Sequence, residues 1–168
     1  MPHLDEFTLH PLTKADEPFL WEMLYQAIYV PPGSSTPPRE MVHQPELSRY
    51  VQDWGQPTDL GFLAVEVRTH KPVGAAWLRL LTGENKGYGY TGVGTPELSI
   101  AVLPEYRRRG IGFRLLKALL HTAEALFPAV SLSVSPENPA VALYRRLGFE
   151  VVSERDAALT MRKTWEAE

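Results

Sequence analysis

The sequence predicts an α/β fold, a three-layer α-β-α sandwich around one mixed, mainly antiparallel sheet. Strand and helix patterns follow one another along the chain, beginning with a β-hairpin and ending with two strands. The segment Leu98 to Leu103 reads LSIAVL, a continuous apolar run that is typical of a strand covered by helices on both faces. From Gly110 to about Phe127, apolar residues recur every three or four positions, as they do on the buried face of a helix.

The first half of the chain predicts a strand, two helices and a hairpin. Asp16 or Glu17 can begin a helix that ends near Ala27, and Pro45 or Glu46 can begin a second one that ends near Trp54. The strands are expected at 7–12, 61–67 and 73–81. Between the helices, residues 30–40 read VPPGSSTPPRE, a loop long enough to be functional.

The second half predicts alternating helices and strands. After the long helix comes a strand at 129–134 and a short helix from Pro139 to Leu147, which Gly148 is suited to end. Strands at 149–152 and 158–161 close the chain.

Length and composition limit the number of domains and exclude several kinds of binding site. A chain of 168 residues predicts one domain over residues 1–168. With 17 Lys and Arg against 20 Asp and Glu the net charge is −3, which argues against nucleic acid as a partner. The absence of cysteine excludes disulfides, cysteine-ligated metals and a cysteine nucleophile. The five histidines form no HExxH pattern, so no metal site is expected.

Nothing in the sequence directs the chain to a membrane. The first residues, MPHLDEFTLHPL, contain no apolar signal segment. No apolar run approaches the roughly 20 residues that span a bilayer. We therefore expect a soluble, cytoplasmic protein.

One glycine pattern is misleading. Gly87, Gly89 and Gly92 fit GxGxxG, but a dinucleotide site needs a helix directly after the pattern. Here Gly94, Thr95, Pro96 and another strand follow, so we predict a flexible loop between two strands.

A second pattern predicts an anion site. Glycines at the start of a helix let the backbone approach a ligand, and the free N–H groups and the dipole of the first turn favour an anion there. Neighbouring arginines add positive charge. The pattern is not a P-loop, because Phe113 and Arg114 stand where Lys-Ser/Thr would follow. The residues are Arg107, Arg108, Arg109, Gly110, Ile111 and Gly112.

Two segments in the same order, LSIAVLPEYRRRGIG and NPAVALYRRLGF, resemble the GNAT superfamily of acyl-CoA-dependent N-acetyltransferases. The resemblance covers about residues 97–152. It implies that the N–H groups of the Arg107–Gly112 turn bind the pyrophosphate of coenzyme A. It also implies that the strand before the turn pairs its backbone with the pantetheine arm, at Ile100, Ala101, Val102 and Leu103.

The resemblance also implies catalytic residues. Tyr144 would be the general acid for the departing thiolate, and a phenol with a pKa near 10 can protonate a thiolate whose acid has a pKa near 8.5. Glu97 is the predicted base for the incoming ammonium, with Glu84 as a second choice. Asn138 before Pro139 is a strong helix N-cap, and in the family it would also contact the cofactor.

The predicted function is transfer of an acetyl group from acetyl-CoA to a primary amine, by direct attack in a ternary complex. The acceptor is open among small amines, amino acids, antibiotics, peptide N-termini and protein lysines. The resemblance also allows a homodimer. One alternative is a non-catalytic acyl-CoA-binding or sensing module of the same fold. Another is a nucleotide-binding protein that uses the same anion site but lacks the Lys-Ser/Thr for terminal phosphates.

Overall fold

A mixed sheet forms the middle layer of the protein. The computed structural model describes residues 6–82 and 85–165, and within these residues the sheet has seven strands in the order β1-β2-β3-β4-β5-β7-β6. All neighbours are antiparallel except β4 and β5, which are parallel, so the predicted mixed, mainly antiparallel sheet is confirmed. The strands are β1 Phe7–Pro11, β2 Leu60–Glu66, β3 Lys71–Arg79, β4 Glu97–Val102, β5 Ala129–Val134, β6 Glu150–Arg155 and β7 Ala158–Thr164.

Four α-helices cover the two faces of the sheet. They are α1 Glu17–Ala27, α2 Pro45–Ser48, α3 Ile111–Glu124 and α4 Ala140–Arg146. Short 3₁₀ helices lie at Lys14–Asp16, Arg39–His43 and Pro104–Tyr106. Helices α3 and α4 pack over one core, which includes Leu115 and Tyr144. Helix α1 and the segment around α2 pack over a separate core on the other face, which includes Met23 and Trp77. The predicted three layers are therefore present.

The second helix is shorter than predicted. It ends at Ser48 instead of continuing to Trp54, and turns follow it. Asp53 has left-handed backbone, with φ of 60°, which a helix that continues to Trp54 cannot contain. The Arg79 guanidinium donates to the backbone carbonyls of Arg49 and Gln52 in the turns that follow α2. A buried ion pair with Asp59 holds that guanidinium in place, with 2.8 Å between Arg79 Nη2 and Asp59 Oδ2.

Strand β3 is more completely buried than β4. Every residue of β3 from Val73 to Arg79 is buried. In β4, which the sequence predicts to be buried on both faces, Ile100 and Val102 are only half-buried. The reason is that β5 moves away from β4, as described below.

The last two strands are longer than predicted because an unusual turn joins them. Asp156 and Ala157 both have left-handed backbone, with φ of 50° and 64°. Such turns normally use Asn-Gly or Asp-Gly, so the sequence gives little sign of this hairpin. In the part of the chain that the structure describes, no helix has the length and apolar character needed to cross a membrane.

Candidate active site

The parallel strands β4 and β5 separate almost as soon as they begin. Strand β4 pairs with β3 from Glu97 to Val102, but in the described residues it meets β5 only at the pair Glu97 and Ser131. Backbone polar groups need a partner or solvent. The edge of β4 that faces β5 is therefore open from Leu98 onward and can pair with an extended ligand.

Side chains along this open strand alternate between the two cores. Ile100 and Val102 pack against the core beneath α3. Ala101 and Leu103 belong to the core beneath α1. Because the side chains are engaged on the two faces, β4 offers a ligand its backbone groups at the edge.

The turn from β4 into α3 exposes a row of backbone N–H groups. Arg108 and Gly110 have left-handed backbone, with φ of 65° and 81°. The Arg114 N–H bonds to the Gly110 carbonyl at 3.1 Å. In the described chain, no acceptor stands against the N–H groups of Ile111, Gly112 and Phe113. Successive free N–H groups at a helix N-terminus form an anion-binding concavity.

Space is available over this concavity. A Cβ added to Gly112 would meet only the Ile100 Cδ1 atom, at 3.7 Å. The surface above the turn is thus open to a ligand, and the N–H groups fit the pyrophosphate of coenzyme A. These N–H groups are among the residues predicted from the sequence to bind that pyrophosphate, and the binding itself stays a prediction.

The three arginines beside the turn are exposed and differ in their contacts. Arg107 Nε donates to the Val102 carbonyl at 2.9 Å, and its Nη2 reaches the Gln26 carbonyl at 3.4 Å. Arg109 lies over the Tyr106 ring, 5.3 Å from its centroid. Arg107 therefore joins the end of β4 to the end of α1.

Tyr144 lies on α4 inside the α3-side core. Its ring meets that of Phe149 edge-on, with 5.8 Å between centroids, and only 7% of the residue is exposed. Burial raises the pKa of its hydroxyl to about 12. Among the described residues this hydroxyl has no hydrogen-bond partner. Tyr144 therefore keeps its proton at neutral pH, and no protein acceptor competes for it.

Asn138 caps α4 as predicted. Its Oδ1 accepts a hydrogen bond from the Ala140 N–H at 2.9 Å. Helical hydrogen bonding begins at Ala140, one residue later than predicted, although Pro139 already has helical backbone. The predicted contact of Asn138 with the cofactor stays a prediction.

Glu97 is buried at the first position of β4, with 1% of the residue exposed. Its Oε1 accepts hydrogen bonds from the Tyr50 hydroxyl and the Gly89 N–H, each at 2.9 Å. Its Oε2 accepts one from the Gly87 N–H, also at 2.9 Å. Burial raises the pKa of this carboxyl, and these three bonds oppose the rise. The proposed base is thus surrounded by donors from the protein itself.

Further contacts fix residues 87–89, the segment whose N–H groups bind Glu97. The Tyr50 hydroxyl accepts a hydrogen bond from the Tyr88 N–H at 2.8 Å. Ser131 Oγ donates to the Gly89 carbonyl at 2.6 Å. The segment is therefore anchored, which the prediction of a flexible loop did not anticipate. Sequence analysis did not identify Tyr50 and Ser131 as parts of this site. The spacing of Gly87 and Gly89 was the available signal, since it indicates that other groups approach the loop closely.

The family layout that the sequence resembles also implies an acceptor pocket built from segments 28–43 and 83–96. In the structure, side-chain contacts hold the first of these segments against α1 and against the segment after β5. The Tyr25 hydroxyl donates to the Pro37 carbonyl at 2.6 Å, and Arg39 lies over the Tyr25 ring while it pairs with Glu22. The Tyr29 hydroxyl donates to the Glu137 carbonyl at 3.3 Å, which joins the segment after α1 to the segment after β5. Glu84, the second predicted base, lies outside the described residues.

Comparisons with known proteins agree with this geometry. A sequence model described as the acetyltransferase (GNAT) family matches residues 21–149. A curated N-alpha-acetyltransferase of Sulfurisphaera tokodaii is 47% identical over 58 residues, which are 33% of this chain and 35% of that protein. The matched region thus spans about a third of the relative's length.

Two solved structures share the fold at low identity. The ribosomal-protein-S18-alanine N-acetyltransferase of Escherichia coli has a TM-score of 0.66 and 20% identity, with 96% of each chain covered. The PaiA N-acetyltransferase of Thermoplasma acidophilum, solved in complex with coenzyme A, has a TM-score of 0.64 and 18% identity, with 95% of this chain and 99% of that chain covered.

The fold is that of the solved acetyltransferases above. The chain belongs to the GNAT family, because the family's sequence model covers most of it.

Proposed function

We propose that this protein transfers an acetyl group from acetyl-CoA to a primary amine. The observation that carries the proposal is the row of free N–H groups at the start of α3, next to the open edge of β4. The N–H groups would bind the pyrophosphate of acetyl-CoA, and the open edge of β4 would pair with its pantetheine arm. Acetyl-CoA enters as a substrate, and no metal takes part.

The reaction is a direct transfer in a ternary complex. The ammonium first loses a proton to become the neutral amine. The amine nitrogen then attacks the thioester carbonyl carbon, the C–S bond breaks, the nitrogen gives up one N–H proton as the amide forms, and the sulfur leaves as a thiolate that takes up one proton. Binding both substrates next to each other supplies the proximity. With no cysteine in the chain, no thiol is available to form an acyl-enzyme.

Tyr144 is the proposed donor of the proton to the thiolate. Its buried, protonated hydroxyl has no protein acceptor among the described residues, which leaves the proton available. A general acid in this position typically contributes about 10²–10⁴-fold to the rate.

We further propose an α-amino group as the acceptor. The names of the Sulfurisphaera relative and of the Escherichia coli enzyme support this class. The chemistry agrees: an α-amino group with a pKa of about 7.7–8.0 is roughly one-tenth neutral at pH 7, while a lysine side chain with a pKa of about 10.4 is almost fully charged. Such an acceptor needs less help from a base, and the Glu97 carboxylate already holds three donors.

A panel of acceptors tests both parts of the proposal. Thiol release from acetyl-CoA is measured with short peptides that have free N-termini, with the same peptides N-formylated but carrying a lysine, and with a polyamine. We expect turnover with the free N-termini only. Turnover with the formylated lysine peptides would reject the α-amine. Binding of acetyl-CoA without turnover on any amine would favour the alternative, a non-catalytic acyl-CoA-binding module.

A further inference from the structure

We propose that Glu97 is a positioning residue whose carboxylate fixes residues 86–90, here named the glycine loop, beside the opening between β4 and β5. The loop then forms a fixed wall on the acceptor side of that opening. The effect on the acceptor rests on the proposed function, whereas the anchoring of the loop does not.

The contacts hold four consecutive residues of the loop. An Arg49 guanidinium nitrogen donates to the Lys86 carbonyl, and Glu97 accepts from the N–H groups of Gly87 and Gly89. Between these, the Tyr88 N–H donates to the Tyr50 hydroxyl, which in turn donates to Glu97. Three of the five bonds end on one buried carboxylate.

The two glycines are required by this arrangement. A Cβ on Gly87 would lie 2.2 Å from the Tyr50 Oη and 2.4 Å from the Glu97 Oε1. A Cβ on Gly89 would lie 2.7 Å from the Leu132 carbonyl carbon. The Gly-x-Gly spacing is therefore explained by close approach to a carboxylate on one side and to the backbone of β5 on the other.

The anchored loop presents the tyrosine side chain between its glycines. Tyr88 is 58% exposed although its own N–H is held inside the loop. The next residue but one, Tyr90, lies beneath the Lys86 ammonium, which is 4.7 Å from its ring centroid. Because the loop backbone is fixed, the Cα positions of Tyr88 and Tyr90 are also fixed beside the opening between β4 and β5. We infer that these side chains contact the acceptor.

Glu97→Gln is the informative variant because a side-chain amide cannot replace both oxygens. If its oxygen keeps the bonds from Tyr50 and Gly89, its NH₂ group faces the Gly87 N–H, donor against donor. Tyr50→Phe removes the partner of Glu97 and the acceptor for the Tyr88 N–H together. Glu154→Gln, on the exposed strand β6, is the matched control.

The primary test is amide hydrogen exchange of residues 86–90, which needs no substrate. We expect Glu97→Gln and Tyr50→Phe to speed exchange in this segment by at least about 10-fold, with α3 and β5 unchanged, because local opening sets the exchange rate. Glu154→Gln should match the wild type. Unchanged exchange in both loop variants would overturn the proposal, whether or not the protein acetylates any amine.

The second test measures steady-state kinetics, with the amine acceptor that the panel of peptides and polyamine identifies. Positioning predicts that Glu97→Gln and Tyr50→Phe raise the acceptor KM by a similar factor, leave the KM for acetyl-CoA unchanged, and give the same loss at every pH. A large fall in kcat for Glu97→Gln alone, which diminishes at high pH, would instead identify Glu97 as the base and overturn the positioning role.

Discussion

Glu97 and Ser131 face each other at the pair that joins β4 to β5, and both of their side chains hold Gly89. Glu97 accepts from the Gly89 N–H at 2.9 Å, and Ser131 donates to the Gly89 carbonyl at 2.6 Å. The two strands are thus joined by a residue from a loop as well as by their own pairing. The opening between β4 and β5 begins directly beyond this point.

The close packing of Gly89 predicts that Gly89→Ala damages the protein. The added methyl group would overlap the Leu132 backbone, so the loop must move and lose its bonds to Glu97 and Ser131. We expect the free energy of unfolding to fall by about 1–3 kcal/mol, as for other strained or overpacked positions. Gly92→Ala is the control, since nothing lies within 4 Å of its added Cβ. Equal melting temperatures of the two variants would contradict this prediction.

The free N–H groups of α3 predict how coenzyme A stabilises the protein. A ligand at 100 times its Kd adds about 2.7 kcal/mol to the free energy of unfolding. Gly112→Asp should abolish that gain, because its carboxylate would stand where the pyrophosphate binds. Gly112→Ala should keep much of it, because the added Cβ touches only Ile100 Cδ1 in the free protein. Thermal shifts with and without coenzyme A measure both, and full protection of Gly112→Asp would show that the anion binds elsewhere.

The unpartnered hydroxyl of Tyr144 predicts that Tyr144→Phe separates activity from stability. As the proposed general acid, its loss should lower kcat by about 10²–10⁴-fold with little change in the KM for acetyl-CoA. Stability should be unchanged or slightly higher, because no protein hydrogen bond in the described chain is lost. A variant that turns over within a few-fold of the wild type would remove Tyr144 from the mechanism.

The raised pKa of Tyr144 predicts a stability difference at alkaline pH. Below pH 10 the phenol is neutral in both the folded and the unfolded chain. Between pH 10 and its folded pKa of about 12, the unfolded chain binds fewer protons than the folded chain, so the free energy of unfolding falls as pH rises. Tyr144→Phe lacks this contribution. Its stability relative to the wild type should therefore increase from pH 9 to pH 11.5 in urea unfolding, and a constant difference would contradict the assignment.

The buried ion pair between Arg79 and Asp59 predicts that Arg79→Ala strongly lowers the free energy of unfolding. The side chains of Arg79 and Asp59 are 8% and 3% exposed, so Arg79→Ala leaves a buried carboxylate without its countercharge, although Asp59 still accepts from the N–H groups of Gly55 and Gln56. The substitution also removes the donor to two backbone carbonyls. We expect a loss of about 3–5 kcal/mol. Arg39→Ala breaks the exposed pair with Glu22 and should cost only about 0–1 kcal/mol. Urea unfolding measures the free energy of unfolding of both variants. Equal losses for Arg79→Ala and Arg39→Ala would contradict this prediction.

Sequence patterns predicted most of the fold because the apolar periodicities are strong. The predicted β5 agrees with the structure residue for residue, and α3 differs by a few residues at its ends. The errors lie where distant contacts override local preference. Asp53 adopts left-handed backbone after α2, where Arg79 binds two carbonyls, and Ala157 adopts left-handed backbone in a hairpin turn. Neither effect has a signal in the local sequence.

The candidate site was predicted unevenly for the same reason. The turn Arg107–Gly112 is contiguous in the chain, so its spacing was sufficient to predict a helix start with free N–H groups. Its binding of coenzyme A stays a prediction. The environment of Glu97 is assembled from Tyr50, the glycine loop and β5, which are far apart in sequence. The prediction identified the carboxylate but not the donors around it. The base role of Glu97 stays a prediction that the pH profile above tests.

The sheet keeps the α1-side and α3-side cores apart, and this separation bears on how such a protein can change during evolution. Substitutions in the α1-side core are screened from Leu115 and Tyr144 by a layer of strands, so their energetic effects should add with little coupling to those in the α3-side core. Mutations near the acceptor segment can then accumulate without loosening the half that carries the anion site. Under the proposed function, a lineage with this architecture can exchange one amine acceptor for another while acetyl-CoA stays its acyl donor.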